Sequence, residues 1–338
     1  MKYIQLEKLS SKWSLTINVH FNHKDYKPSF SGHETFPLRY GWLKKAYDRV
    51  HKSDNKVKNR ADCWSDDAIG EFGVGKNMVA SIRHWAKVMN IIEEKEAKVC
   101  TTKIGNFIFN PKSGHDPYLE HPSTLWLIHW QLATNSNKTT WYWLYNHFPN
   151  INFDRDGLVS KINRLINDRG WSKVAVSTIK KDVACFIRTY VAQKPSGKVG
   201  HDDALESPLT ELGLIRANNI KDSFRFVRGS KPMLAQGIFT YALIEFWTKY
   251  SRNSKTISFE AIAHAPGSPG RVFLLDENEL YDKLATLDSS TKGEFTLTET
   301  SGLKQISSKG EIKLDRALYW LKKDYLKSIK NKGSKVVW

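Results

Sequence analysis

Between Ser65 and Asn110 the hydrophobic period changes once, from that of a helix to that of a strand, around one glycine turn. Ser65, Asp66 and Asp67 favour a helix N-terminus, where side-chain oxygens accept from unpaired amides and negative charge meets the positive end of the helix dipole. They predict a short helix through Phe72, which Gly73-Val74-Gly75 then breaks. A second helix runs from about Asn77 to Asn90, with Met78, Ile82, Trp85, Val88 and Met89 recurring at helical spacing. Lys98–Thr101 and Asn106–Phe109 read as strands on either side of Lys103-Ile104-Gly105. A helix pair followed by a hairpin is the layout of a winged helix.

The rest of the chain repeats this mixture. Helices are predicted over 125–133 (capped by Ser123-Thr124), 157–168 (from Asp154) and 178–191 (capped by Ser177), while 140–148 continues the aromatic packing. The 178–191 helix has one apolar stripe, Ile179, Val183, Phe186, Ile187 and Tyr190, with Lys180, Lys181 and Arg188 elsewhere on it. Later come a strand over 224–227 and helices over 238–250, 276–287 and 314–326. A hairpin is predicted over 295–307 around Ser301-Gly302, followed at the end by a loose basic tail, 327–335. A chain of 338 residues makes two or three domains at roughly 150 residues each. Breaker clusters at 110–114, 193–198 and 265–270 mark candidate boundaries. The expectation is a mainly α fold with β-hairpins, in two or three winged-helix-like modules. Residues 1–112 form an N-terminal module with the winged-helix-like segment at 65–110. Residues 113–195 form a helical helix-turn-helix-like module, and residues 205–338 an α+β winged-helix-like module.

Lys and Arg number 52 against 35 Asp and Glu, a net charge of +17, which favours a polyanionic partner, above all nucleic acid. No apolar run reaches the roughly 18 residues of a membrane span, and MKYIQLEKLSSKWSL has no apolar core of a signal peptide. Cys63, Cys100 and Cys185 are far apart with no CxxC pairing. The expected location is the cytoplasm, with reduced thiols.

Three clusters carry candidate chemistry. Gly73-Val74-Gly75-Lys76-Asn77 lacks the spacing and the Ser/Thr of a phosphate loop, which excludes nucleotide hydrolysis of that kind. Lys76 and Asn77 instead start a helix whose amides favour a DNA phosphate, with Arg83, His84 and Lys87 further along. With Lys180 and Lys181 these are the candidate DNA contacts. In the run Ser31–Arg39, His33 and Glu34 offer a base and a metal ligand, and Arg39 a fork for phosphoryl oxygens. A buried hydrogen-bonded pair organising a turn accounts for His33 and Glu34 equally well. In the run Gly114–His121, His115, Asp116, Glu120 and His121 have the atoms for a divalent metal such as Mg or Mn. Asp-Pro is also an ordinary turn starter. Trp126, His129, Trp130, Trp141, Trp143 and Tyr145 are expected to be mostly core.

The runs SGHETFPLRYGWLKKAYD (31–48), GVGKNMVASIRHW (73–85) and GHDPYLEHPSTLWLIHWQL (114–132) together resemble a bacterial family first catalogued as domain of unknown function 4007, that of the SspB-type proteins of single-stranded DNA phosphorothioation systems. The similarity covers roughly residues 28–215. It implies a protein acting beside a cysteine desulfurase, a PAPS-reductase-like sulfur-transfer protein and an ATPase. That system replaces a non-bridging phosphate oxygen by sulfur in one DNA strand and marks self DNA for antiphage defence. The resemblance also implies DNA nicking, a metal-dependent endonuclease step that opens the strand for sulfur. By position His33, Glu34 and Arg39 fall in the first run, Lys76 and Asn77 in the second, Asp116 and Glu120 in the third. The alternative is a non-catalytic DNA-binding subunit or regulator that presents DNA to its partners.

Overall fold

The structure, a computed structural model, describes residues 21, 26–52, 58–192 and 207–333. The stretches 1–15 and 193–198 singled out above, and 334–335 of the basic tail, lie outside the described residues.

One connectivity occurs three times. The first unit runs α1 (Trp42–His51), β1 (Lys58–Asn59), α2 (Arg60–Cys63), α3 (Asp67–Phe72), α4 (Lys76–Val88), then the hairpin β2 (Ile92–Lys95) and β3 (Lys98–Thr101). Two helices follow, α5 (Lys103–Phe109) and α6 (Pro122–Ala133). The second unit runs α7 (Thr139–Asn146), β4 (Asn152–Asp154), α8 (Arg155–Asp168), α9 (Val176–Tyr190), β5 (Ile215–Ala217) and β6 (Ser223–Phe226). The third runs α10 (Gln236–Tyr250), β7 (Thr256–Ser258), α11 (Phe259–His264), α12 (Pro269–Val272), α13 (Glu277–Ala285), α14 (Leu287–Ser290), β8 (Phe295–Thr300) and β9 (Leu303–Ser308). α15 (Leu314–Gly333) then packs lengthwise on α10. In each unit the second strand of the hairpin lies between the other two, antiparallel to both: β1-β3-β2, β4-β6-β5 and β7-β9-β8.

One local device recurs in each unit. The last residue of the first strand also caps the helix that follows. Asn59 accepts from the Ala61 amide, Asp154 from Gly157 and Ser258 from Ala261. A polar cap satisfies an otherwise unpaired helix amide and turns the chain from strand to helix at one position. The middle strands then supply the inward residues Val99, Phe224 and Ile306, all buried. Burying each such side chain contributes about 1.5–3 kcal/mol. Gly73, at φ 63, closes α3 in a left-handed conformation that only glycine adopts without strain. One apolar core runs from Phe21 to Tyr325 through all three units.

The helix-rich character with small antiparallel hairpins is as expected, and several details differ. Residues 106–109 are not a strand. Thr102 accepts from the Gly105 amide and starts α5, whose Ile104 and Ile108 bury at helical spacing. The hairpin partner is the charged run Ile92–Lys95, turned at Glu96 with φ 55. His121 rather than Ser123 caps α6, its ring nitrogen accepting from the Ser123 amide. α9 begins at Val176, before Ser177, with no side-chain cap. The backbone from 327 to 333 continues α15 instead of forming a loose tail. β4 pairs with β6, so the middle sheet joins residues on both sides of the division expected at 195–205.

Candidate functional site

The run Ser31–Arg39 lies where the first and second units meet. His33 is 2 % exposed. Its Nδ1 accepts from the Thr35 amide at 3.0 Å, which puts the ring proton on Nε2, and Nε2 donates to Asp182 Oδ1 at 2.8 Å. Both ring nitrogens are therefore used inside the protein, and the lone pair a general base needs is occupied. Asp182, in α9, also accepts from the Thr140 hydroxyl. Lys138 Nζ lies 3.9 Å from the same carboxylate and 5.0 Å from the centre of the Trp141 ring. Burial pushes the Lys138 ammonium pKa down, while Asp182 pulls it up. Gly32, at φ 96, passes against the His84 ring, where an added Cβ would lie 2.5 Å from Nδ1. Burial holds the His84 pKa down to about 2, helped by the positive charges of Lys138 and Lys87.

Neighbouring residues extend this joint. The Trp85 indole N–H donates to Phe36 O, as does the Cys185 thiol, and Arg188 donates to Thr35 O. Arg39 is 7 % exposed, with its guanidinium over the Phe36 and Trp42 rings at 5.6 and 5.5 Å. It is not turned outward to a phosphoryl group. Glu34 is exposed, at φ 46. Through Asp182 the His33 ring is tied to α9 and to Thr140 of α7, while Arg39 packs against Phe36 and against Trp42 of α1.

Asp116 has a similar fate. Its Oδ1 accepts from the Glu120 amide, and its Oδ2 from the His121 amide and the Thr124 hydroxyl. Thr124 in turn meets the Tyr325 hydroxyl, and Ser123 donates to Asp324, which accepts the Gly237 and Ile238 amides. This loop fastens α6 to α10 and α15. His115 lies against Phe107 and Tyr325, and Glu120 is exposed. Among the described residues no three His, Cys, Asp or Glu side chains group to hold a metal. Glu34, Asp116 and Glu120, each a candidate ligand by sequence, are therefore not gathered into such a group.

The expected DNA-contacting helix is α4. Lys76 and Asn77 are exposed at its start, after Gly75. Arg83 is not available. Its Nε and Nη2 donate to Glu94 Oε1 and Oε2 at 2.7 and 2.8 Å, and Lys87 reaches Oε2 at 3.0 Å. Burial opposes ionisation of Glu94, but the two cations outweigh it and its pKa is lowered. Lys180 and Lys181 on α9 are exposed, two residues and one residue before the buried Asp182.

Sequence reasoning missed Asp182, Lys138 and Thr140. Asp182 had a readable signal, a carboxylate three residues after Ile179 and next to Val183 on an apolar face, where a charge needs a partner. Lys138 had none. The exposed Arg216 and Arg225, directly paired across β5 and β6, were also missed, because pairing across a hairpin depends on register.

An SspB crystal structure aligns with 88 % of this chain and 88 % of its own, with a TM-score of 0.76 and 31 % identity. A magnesium ion-bound SspB crystal structure aligns over the same shares at a TM-score of 0.76 and 30 % identity. No curated protein matches the sequence. The family of proteins of unknown function DUF4007 matches residues 30–325, all three repeated units included. The chain belongs to the DUF4007 family and is an SspB-type protein.

Proposed function

We propose that this chain is the duplex-DNA-binding component of a bacterial phosphorothioation system, built from three winged-helix modules. The observation that carries the reading is the threefold connectivity of strand, helices and hairpin, with the hairpin's second strand central in every sheet. This is the order a helix pair and its wing require, and such modules read DNA through the second helix and the hairpin. The surplus of +17 supports a polyanion as partner. The likeness to SspB supports the phosphorothioation setting, with a cysteine desulfurase, a PAPS-reductase-like protein and an ATPase as partners. No helix of the described residues is long and apolar enough to cross a membrane.

Nicking is the second reading, favoured by the magnesium ion in a similar SspB. Mg²⁺ keeps several waters and takes one or two carboxylates plus substrate phosphates, so a site for it would be completed by DNA. Gel-shift titration with duplex DNA tests the first reading, and relaxation of supercoiled plasmid with and without Mg²⁺ or Mn²⁺ tests the second. Retarded duplex with intact plasmid supports a presenting subunit. Relaxed plasmid supports a nickase. Absence of any retardation at low salt overturns the DNA reading.

A further inference from the structure

The three units share a connectivity but not a charge. In the first, Arg83 and Lys87 pair with Glu94, Lys95 with Glu93, and Arg49 and Lys52 with Glu71, which leaves Lys76 at the start of α4 and Lys98 on the hairpin as exposed cations outside these pairs. In the third, the corresponding helix α13 carries Glu277, Glu279 and Asp282 against Lys283, a face that repels phosphate. The hairpin there sets Glu299 opposite Lys304. In the second unit, α9 exposes Lys180 and Lys181, and the β5–β6 hairpin exposes Arg216, Lys221 and Arg225. Among the described residues none of these five has an ion-pair partner.

Arg216 and Arg225 are direct cross-strand neighbours, with Asn152 next in the same row on β4. Like charges placed opposite one another weaken a sheet. The register that imposes this is fixed from the other face, where Phe153, Phe224 and Phe226 are buried. Arg225 between Phe224 and Phe226 cannot turn inward without moving both rings to solvent. An anion between the two guanidinium groups relieves the repulsion, and the planar fork of arginine suits the two non-bridging oxygens of a phosphodiester.

We infer that the second unit carries the DNA contact, with α9 meeting duplex DNA through Lys180 and Lys181 and the hairpin holding backbone phosphates through Arg216, Lys221 and Arg225. The inference rests on the DNA-binding reading above and moves the contact from α4, where Lys76 and Asn77 lie, to α9 and its hairpin.

Two double variants of the full chain test it, Lys180→Ala with Lys181→Ala and Arg216→Ala with Arg225→Ala, compared with Lys76→Ala in fluorescence anisotropy on a labelled duplex. All five positions are exposed, and circular dichroism checks that each variant folds. Each double variant should lose roughly tenfold in affinity and show a shallower salt dependence, as lost phosphate contacts do, while Lys76→Ala binds within about twofold of the parent. Parental affinity in both folded double variants, or a loss confined to Lys76→Ala, overturns the assignment and leaves the DNA-binding reading standing. A parent that does not bind duplex at low salt overturns the reading itself, and the inference with it.

Discussion

Replacing Asp182 by Ala removes the carboxylate that His33, Thr140 and Lys138 share. The side chain is fully buried, and so is Lys138 at 1 % exposure. Pairing in such a place is worth little relative to an apolar substitute, but breaking it leaves an ammonium and an imidazole N–H without a counter-charge, at a cost of about 3–5 kcal/mol. Asp182→Asn keeps the shape and one acceptor and loses the charge, costing about 1.5–3 kcal/mol. Over the 338 residues the entropy of unfolding is about 0.7 kcal/mol/K, so Asp182→Ala should lower Tm by roughly 4–7 °C and Asp182→Asn by roughly 2–4 °C. Differential scanning calorimetry at pH 7.5 reads both. DNA affinity measured well below the transition should match that of the parent, because the group is internal. An Asp182→Ala protein melting within about 1 °C of the parent would refute the claim that this network joins the first two units.

Two further outcomes follow from buried ionisable groups. Burial holds the pKa of His84 down to about 2 and those of His129 and His147 down to about 4, against 6.5 when unfolded. The unfolded chain therefore binds more protons below pH 6.5. The stability these rings confer is complete above 6.5 and is lost as pH falls toward the folded values, by about 2 kcal/mol per ring at pH 5. Calorimetry from pH 7.5 to 5 should show Tm falling by roughly 8 °C, with uptake approaching three protons on unfolding; a flat Tm would contradict the burial of these rings. Arg83→Ala should cost about 1 kcal/mol in urea denaturation, since the pair is partly solvated and Lys87 remains with Glu94, and should change DNA affinity less than about twofold; a tenfold loss of affinity would return α4 to the interface.

Much of the fold was legible where local rules and burial agree. α4 follows from apolar spacing and α8 from its Asp154 cap, and the 295–308 hairpin from Ser301-Gly302 between alternating runs. Residues 106–109 misled because Phe107 and Phe109 alternate like a strand, while the Thr102 cap and the packing of Ile104 and Ile108 decide for helix. The threefold repeat was hidden because its marker, a polar residue ending a strand and capping a helix, is Asn59 once, Asp154 once and Ser258 once. The dense polar runs at 31–39 and 114–121 were legible as important, but their role was not. His33 bonds Asp182, 149 residues away, and the His121 ring packs on that of Tyr325 in α15, contacts that hold units together. Such partners are fixed by tertiary packing, which spacing along the chain does not encode.

Binding of duplex DNA is tested most directly by the slope of log affinity against log salt for the parent protein, measured by fluorescence anisotropy from low to physiological salt. Each phosphate neutralised in duplex DNA contributes a slope of about −0.9, so engagement of the five cations Lys180, Lys181, Arg216, Lys221 and Arg225 predicts a slope of about −4 to −5. A slope near zero, or no binding at the lowest salt, would contradict the account.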